Sequence, residues 1–387
     1  MALNKKSGGI RPIAVGVTLR RLASKCANTH GAARMAPLFG PRQLGVGIRK
    51  GCEGAIQSAR RYLQSLAPDH IMVKLDFANA FNSLHRSDML LSIRDRLPEL
   101  YAFCLSSYAQ PSFLFFGSHV ILSEEGPQQG DPLGPLLFCT TVHPLISPLS
   151  SDLTAGYLDD LTLADLQNVV ITDIQRVMVE SSKMGLHLNH SKCEVISHPD
   201  LNIVDQTVSS FTFVSVADAT LLRAPLFPGK VLDDTWLARY KDLKDRLSLL
   251  SAQDALLLLL VSFSAPRVQH LLRCAPSVDN PALEQFYGHL RSALSCITNT
   301  NLSDIQASLP TKHGGLGIRQ VHSLELPAFL ASAASTSDLQ SQILLASACT
   351  ANTQFDKYLA DWQASFGHLS SSAPLLVKQS VWDKPGI

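Results

Sequence analysis

The chain has 387 residues, of which 46% are hydrophobic and 17% are charged. This composition excludes an intrinsically disordered protein, and the length allows a large buried core without cross-links. The eight cysteines form no Cys-x-x-Cys pair, which argues against a zinc knuckle, and a chain this long has little need of a disulfide framework. They are typical of small apolar core residues in a reducing compartment.

The formal net charge of +1 conceals two oppositely charged parts. Residues 1–61 contain twelve Lys and Arg residues and one acid, Glu53, so this segment carries +11. The other 326 residues contain 21 basic and 31 acidic side chains and carry −10. This asymmetry favours a local surface for a polyanion, with a solvated basic face as the simpler alternative.

Strand-like and helical patterns alternate from residue 62 to about 197. A strand is predicted to end at Asp76, and Gly117-Ser118 between two apolar runs predicts a hairpin. Helices are predicted over 88–97, where Pro98 stops the helix, and over 170–181, with Gly185 as the C-cap.

From about residue 234 the pattern becomes helical. One apolar stripe runs from Trp236 to Leu250, and Asn280-Pro281 predicts the start of a helix over 282–297. The Ser-rich stretch 331–341 and the end after Ser370 are predicted to be a weakly ordered surface or tail. The fold class is therefore α+β, followed by an all-α part.

No signal peptide or membrane span is predicted. The first residues lack an apolar stretch, and the longest apolar run, Ala255–Val261, is far shorter than the roughly 18 residues that a span needs. We interpret this run as a buried helix and expect a nuclear or cytoplasmic protein.

Four segments carry candidate chemistry. The first places Asp76 at the end of a buried strand, and the second is a Gly/Pro-dense loop over 125–135 that leads into an apolar run. The third sets Asp159-Asp160 at the predicted tip of an apolar hairpin, and the fourth offers Lys192 near a turn. Each feature alone has a simpler structural reading as turn chemistry, a helix cap or a surface lysine.

Taken together, the acidic residues indicate metal-dependent phosphoryl transfer. Adjacent carboxylates repel each other and need a compensating cation, and their hard oxygens favour Mg²⁺. If Asp76 and Asp159 converge, they can hold two ions that activate a nucleophilic oxygen and stabilise the leaving group. Lys192 is then a candidate to protonate pyrophosphate. No Gly-x-Ser-x-Gly elbow and no phosphate loop support a hydrolase or a P-loop enzyme.

In this order the segments resemble a reverse transcriptase, and they are most similar to the polymerases of non-LTR (LINE-type) retrotransposons. The resemblance extends from residue 4 to about 197, and Tyr-Leu-Asp-Asp replaces the Phe-Ala-Asp-Asp more usual in that group. Because residue 4 already resembles the fingers, we expect the N-terminal part of the polymerase to be missing. The matching segments are Lys5–Ile13 (fingers), Asp76 with Phe81, Gln128–Pro135, Tyr157–Asp160 and Gly185–Lys192.

The resemblance implies a role for each matching residue. Asp76, Asp159 and Asp160 are the catalytic carboxylates and metal ligands, with the Phe77 carbonyl completing one shell, and Lys192 is the general acid. The cofactor is Mg²⁺, as two ions, or Mn²⁺ in its place. Residues implied in nucleotide binding are Arg11, which holds the triphosphate, Phe81, a steric gate against a 2′-hydroxyl, and Gln129 with Gly130. Residues assigned to nucleic-acid binding are Lys5, Lys6, Arg20 and Arg21.

The implied architecture is a right-hand polymerase palm with a fingers remnant, followed by an all-α thumb. Thr220–Leu226 resembles a primer grip in which Arg223 stands where a glycine is usual, and Leu309–Ile318 is similar to the segment after the thumb in such elements. The predicted domains are 1–70 fingers, 71–200 palm, 201–233 primer grip and connection, 234–330 thumb, and 331–387 a helical or weakly ordered extension.

The predicted function is RNA-directed DNA synthesis from dNTPs onto a primer 3′-hydroxyl. The implied partners are an RNA template, a DNA primer or hybrid duplex and dNTPs, with no membrane. Two alternatives remain: a non-catalytic nucleic-acid-binding remnant of a retrotransposon polymerase, and an RNA-dependent RNA polymerase, which typically places a polar residue where this chain has Phe81.

Overall fold

The computed structural model describes residues 2–4, 10–12, 16–241, 243–344, 351–366 and 379–383. The chain divides into two compact units. The first comprises residues 1–55, 66–214 and 342–348, and the second comprises residues 56–65, 215–341 and 349–387.

The strands are short. In chain order they are β1 Ala2–Asn4, β2 Ile10–Pro12, β3 His70–Leu75, β4 Ser112–Phe116, β5 His119–Ser123, β6 Leu153–Tyr157, β7 Asp160–Leu166, β8 Glu194–Ser197, β9 Thr212–Val214, β10 Thr220–Leu221 and β11 Ala224–Pro225.

Helices occupy most of the rest. In chain order they are α1 Thr18–Phe39, α2 Gly51–Gln64, α3 Ala80–Ser83, α4 Arg86–Arg96, α5 Pro98–Tyr108, α6 Gly134–Ile146, α7 Gln167–Lys183, α8 Lys230–Tyr240, α9 Leu243–Ser248, α10 Ala252–Leu258, α11 Ala265–Cys274, α12 Pro281–Thr298, α13 Asp304–Ser308, α14 Glu325–Ser335, α15 Ser337–Ile343, α16 Thr353–Phe366 and α17 Gln379–Asp383.

The first unit is organised around a five-stranded sheet in the order β6-β7-β3-β8-β9. Neighbouring strands within this sheet are antiparallel, except for the parallel pair β8 and β9. The central strand β3 is buried on both faces, because Ile71 and Val73 on one face and Met72 on the other are almost completely inaccessible. A strand that is apolar on both faces can lie only inside the sheet, between covering layers. The predicted strand ending at Asp76 is therefore confirmed.

Helix α6 is the most deeply buried helix of the first unit. Apolar side chains surround it on all sides, so it has no polar face to turn toward water. Its buried residues include Leu136, Leu137, Phe138, Cys139 and Val142. The Gly/Pro-dense loop before it thus delivers the chain directly into the core.

Two other predicted elements of the first unit are also confirmed. Strands β4 and β5 pair around the two-residue turn Gly117-Ser118, where Gly117 has a φ of 60°. Helix α7 covers the predicted stretch 170–181, but its C-cap is Met184, and Gly185, with a φ of 81°, follows one residue later than predicted. A positive φ carries little steric cost at glycine, which explains both positions.

Among its described residues, the second unit has helices and one strand pair, β10–β11. The stripe predicted from Trp236 to Leu250 is divided: Trp236 and Tyr240 lie on α8, Leu243 and Leu247 lie on α9, and Leu250 follows α9 and is exposed. Trp236 is fully buried, and its indole N–H donates to the Ser277 hydroxyl at 3.1 Å. At the start of α12, the Asn280 side chain accepts from the Ala282 N–H at 2.8 Å, so this predicted cap is confirmed.

The turn between β10 and β11 places two residues in the left-handed region. Leu222 has a φ of 46° and Arg223 a φ of 67°. Positive φ at both central positions matches the backbone twist of a two-residue hairpin turn. The Leu222 carbonyl accepts a hydrogen bond from His270 Nε2 at 3.1 Å, which helps to hold this conformation without glycine.

Two expectations for the second unit are wrong. Residues 331–341, expected to be a weakly ordered surface, lie in α14 and α15, and Ser332 is fully buried. The run Ala255–Val261 is amphipathic and not buried throughout: Ala255 and Leu259 are buried, but Leu257 and Val261 are more than half exposed. A helix turns successive side chains to different faces, so one side of a continuous apolar run can face solvent.

Within the described residues, one helical stretch, Ala252–Cys274, is long and apolar enough to cross a membrane by length and composition alone. The core helix of a soluble protein passes the same test. This stretch consists of α10, a short π-helix over Leu259–Phe263 and α11.

The carboxylate of Asp173 holds the segment before β6 and yields a stability prediction. It is buried and accepts from the Ser150 N–H at 2.9 Å and from the Ser151 N–H at 2.7 Å. In Asp173→Ala these donors lose their partner, so we expect the free energy of unfolding to fall by about 3 kcal/mol. Urea denaturation measures the change. The control Asp200→Ala removes an exposed carboxylate and should cost less than about 0.5 kcal/mol.

A second prediction concerns acid stability. Burial, together with the charges of Arg96 and Arg42, lowers the pKa of His143 to about 4. The unfolded chain, with an ordinary histidine pKa near 6.5, therefore binds more protons as the pH falls toward 4, and stability falls with it. In His143→Phe, urea midpoints should decline less steeply over this range. Replacing the exposed His119 with Phe should leave the decline as it is in the parent; an equal decline in His143→Phe would contradict the prediction.

Candidate active site

The first candidate residue, Asp76, directly follows the central strand β3. Its carbonyl accepts from the Asn189 N–H at 2.7 Å, and its own N–H points to the Cys193 thiol at 3.5 Å. Burial raises the pKa of Cys193 to about 11, so this thiol stays protonated and neutral beside the carboxylate. The backbone of Asp76 is thus fixed by the turn that carries Lys192.

The backbone of Phe77 is held in the same way. Phe77 and Leu188 form an isolated antiparallel bridge. The hydrogen bonds of this bridge belong to the neighbours of Phe77: Ala78 donates to His187 at 2.8 Å, and Asp76 accepts from Asn189. The Phe77 carbonyl takes no part in this pairing, which leaves its oxygen for another ligand.

The two other aspartates lie at the β6–β7 turn. Tyr157 pairs with Asp160, so Leu158 and Asp159 are the two turn residues, and Asp160 is the first residue of β7. The prediction of both acids at the tip is therefore correct for Asp159 and one residue off for Asp160. Leu158 has a φ of 60°, which is unusual for a residue with a side chain.

Strand register brings the three carboxylate-bearing residues to one end of the sheet. In the β3–β7 pair, Leu75 lies opposite Leu161. One further step along both strands sets Asp76 opposite Asp160, next to Asp159. The sequence distance of 83 residues between Asp76 and Asp159 is thus closed by the pairing of two buried strands.

The donor chemistry at this end of the sheet suits a divalent cation. Carboxylate and backbone carbonyl oxygens are the hard ligands that Mg²⁺ prefers. Within the described ranges, however, no three His, Cys, Asp or Glu side chains are grouped closely enough to hold a metal ion. The ammonium group of Lys192 lies 3.8 Å from an Asp76 oxygen, so a cationic side chain faces this carboxylate.

Phe81 lies on the short helix α3, close to Asp76 in sequence. Its ring stacks on Phe138 of α6 with centroids 4.5 Å apart, so its position is set by the core helix. Gly126 passes so close that a Cβ there would lie 1.8 Å from the Phe81 carbonyl oxygen. A glycine is therefore required at residue 126 to let the loop before α6 approach α3.

The Gln-Gly-Asp-Pro loop forms a tight turn before α6. Asp131 N–H donates to the Gln128 carbonyl at 3.0 Å, and Gly130 has a φ of 111°. Gln129 is half-buried and Gly130 is exposed. The Asp131 carboxylate accepts from the Tyr108 hydroxyl at 2.6 Å. Burial and this carboxylate together raise the pKa of Tyr108, so the tyrosine remains a donor.

The predicted basic residues lie in four different situations. Lys5 and Lys6 lie outside the described residues, and Arg11 belongs to strand β2, where it pairs with Leu3. Arg21 is exposed on α1. Arg20, predicted to bind nucleic acid, has partners within the protein: its guanidinium lies 5.3 Å from the centre of the Tyr108 ring and 3.5 Å from the Asp131 carboxylate.

The sequence reasoning missed Gln43. This amide is fully buried and hydrogen-bonds to both the N–H and the carbonyl of Leu158, at 3.1 and 3.3 Å. Gln43 lies 115 residues before Leu158, within the basic N-terminal segment. No spacing signal links the two, although the pattern Gln-x-Gly between apolar residues marks a close backbone approach.

Comparison with known proteins gives a family. The model for reverse transcriptase (RNA-dependent DNA polymerase) matches residues 3–217, a range that contains every candidate site residue. No curated protein matches the sequence.

Among solved structures, the chain is similar to apo telomerase from Candida tropicalis, with 12% identity, a TM-score of 0.43 and coverage of 94% of this chain and 61% of that one. It is also similar to telomerase from Candida albicans in complex with a TWJ fragment of telomeric RNA, with 11% identity, a TM-score of 0.38 and coverage of 90% and 56%. The chain spans less than two thirds of these telomerases.

These likenesses have TM-scores below 0.5, whereas the family match lies in the sequence itself. That match covers more than half of the 387 residues, and the chain therefore belongs to the reverse transcriptase family.

Proposed function

We propose that the chain is an RNA-directed DNA polymerase of the non-LTR retrotransposon type, which adds dNTPs to a primer 3′-hydroxyl on an RNA template. The observation that carries this proposal is the β3–β7 register, which supports a shared site for Asp76, Asp159 and Asp160 at one end of the sheet. The predicted fingers, palm, primer-grip and thumb ranges, and a nuclear or cytoplasmic location, belong to the same proposal.

The proposed ligands of two divalent ions, Mg²⁺ or Mn²⁺, are the three aspartates and the Phe77 carbonyl, and binding would require the carboxylates to lie closer together than they do in this structure. When bound, such ions lower the pKa of the primer hydroxyl and neutralise the charge of the transferring phosphoryl group. The sheet and the Asn189 turn fix the backbone of the aspartates, so their carboxylates would hold the ions in set positions. Rigid placement of this kind is what lets charged groups stabilise a transition state.

Lys192 is the proposed general acid. Its side chain is 56% exposed, and its ammonium group lies 3.8 Å from Asp76, so it can turn from the carboxylate toward a bound triphosphate. The primer hydroxyl would lose its proton to solvent, and its oxygen would bond to the α-phosphorus as the bond to the pyrophosphate oxygen breaks and the Lys192 proton passes to that oxygen. The backbone at Gln129 and Gly130, with Arg11, would contact the nucleotide.

Phe81 is the proposed steric gate. Stacking on Phe138 prevents its ring from yielding to a larger sugar, because Phe138 is itself fixed in the core. A ribose 2′-hydroxyl would collide with a ring held this way, whereas deoxyribose would not. The stack therefore favours dNTPs and argues against the RNA polymerase alternative.

The carboxylate assignment predicts the effect of removing one charge. Asp159→Asn keeps the shape of the turn but weakens metal binding, so the rate of primer extension on an RNA template with Mg²⁺ should fall at least about 100-fold. The matched control is Glu180→Gln on α7, an exposed carboxylate paired with Lys183, which should extend at the parental rate.

Each result of this comparison decides between hypotheses. Equal extension by Asp159→Asn and the parent would refute the site. A parent that binds the primer–template but extends nothing would favour the non-catalytic remnant.

The gate predicts a change in sugar selectivity. In Phe81→Val the space beside the sugar opens, so the ratio of dNTP to rNTP incorporation should fall about tenfold or more. Single-nucleotide incorporation with dGTP and GTP measures this ratio. Phe113→Val, which truncates an exposed phenylalanine on β4, should keep the parental ratio. A parent that already prefers rNTPs would reverse the gate assignment.

A further inference from the structure

The turn that carries Asp159 has a backbone conformation that its residues do not favour. Leu158 has a φ of 60°, and a side chain in this region meets steric resistance that glycine avoids. Such a residue persists only when its surroundings over-determine it. The position of Asp159 therefore depends on what holds Leu158.

The side chain of Gln43 supplies this support. A side-chain amide carries one acceptor oxygen and one donor nitrogen, and Gln43 uses both atoms on the same residue. Its Oε1 accepts from the Leu158 N–H at 3.1 Å, and its Nε2 donates to the Leu158 carbonyl at 3.3 Å. Gln43 is fully buried, so water does not compete for either bond.

The backbone around Gln43 is attached to the same hairpin. Leu44 N–H donates to the Gly156 carbonyl, and Gly156 N–H donates to the Arg42 carbonyl, both at 2.7 Å. These two bonds place Gln43 beside Gly156 in a parallel bridge. The Gln43 amide thus reaches Leu158 from a segment that is already bonded to the same hairpin two residues earlier, at Gly156.

Gly45 completes the arrangement. Its N–H donates to Gln43 Oε1 at 3.1 Å, which orients the amide toward the turn. A Cβ on Gly45 would lie 2.7 Å from the Leu158 nitrogen, so this residue must be glycine for the segment to approach the turn. The buried Cys139 thiol also lies near Asp159 and the Leu158 peptide.

We infer that Gln43 is a positioning residue for catalysis, whose side-chain amide holds Leu158 in its left-handed conformation and thereby places Asp159. This inference rests on the proposed polymerase function. Gln43 is fully buried, so in this inference it acts through the turn and not by direct contact with substrate. Its loss should therefore change the turnover rate more than the binding of dNTP.

The test begins with Gln43→Met, which keeps the length and volume of the side chain and removes both hydrogen bonds. We expect kcat of primer extension to fall about tenfold, with the KM for dNTP changed less than about twofold. The matched control is Gln57→Met. Gln57 is a buried glutamine of the second unit that donates to the Arg273 carbonyl at 3.3 Å, and its loss should lower Tm without changing kcat.

Rescue separates positioning from general stability. Leu158→Gly allows the same φ without strain, so in that background Gln43→Met should lower kcat less than about threefold. Gly45→Ala is the complementary variant, because it pushes on the turn while the Gln43 amide is intact, and it should lower kcat as Gln43→Met does. Failure of Leu158→Gly to reduce the effect of Gln43→Met would overturn the inference.

A second readout does not need enzyme activity. The Leu158 amide hydrogen is bonded to Gln43, so its exchange with deuterium, followed by NMR after selective leucine labelling, should become about tenfold faster in Gln43→Met and stay unchanged in Gln57→Met. If the parent extends no primer, the proposed function fails while this exchange still decides the role of Gln43. Unchanged exchange at Leu158 would overturn that role.

Discussion

The concentration of negative charge at one end of the central sheet is the constraint on which the first unit depends. Pairing of β3 with β7 directs Asp76 and Asp160 to the same end of the sheet, with Asp159 beside them. Like charges brought together by burial of the strands cost free energy unless cations offset them. The apolar strands supply the energy for this placement, because Ile71, Val73 and Leu163 are buried completely.

Contacts between segments far apart in sequence hold the three aspartates at this end of the sheet. The Asn189 turn fixes the backbone of Asp76, the Gln43 segment fixes the Asp159 turn, and Phe138 supports Phe81. Close backbone approaches at Gly45 and Gly126 make these contacts feasible. The site is therefore held by the core rather than by mobile loops, which is the arrangement expected where charged groups must be placed accurately.

Much of this organisation could be predicted from local patterns. The end of a strand at Asp76, the Gly117-Ser118 hairpin, the helix before Gly185 and the Asn280 cap are all local features, and each is confirmed. One failure shows the limit of local patterns. Residues 331–341 are rich in serine, but Ser332 is buried in a helix because neighbouring alanines and Leu330 pack against the core. Tertiary packing overrode the composition.

The sequence by itself determined the family, the identity of the candidate catalytic residues and the chemistry that they suit, because these depend on residue types in a fixed order. Its split charge of +11 and −10 also follows from composition alone. Only the tertiary structure decided that Arg20 faces Asp131 and Tyr108, that Leu158 is left-handed, and that Gln43 holds it. The physical reason is that a hydrogen bond between residues 115 apart depends on strand pairing and burial, which leave no periodic signal in the chain.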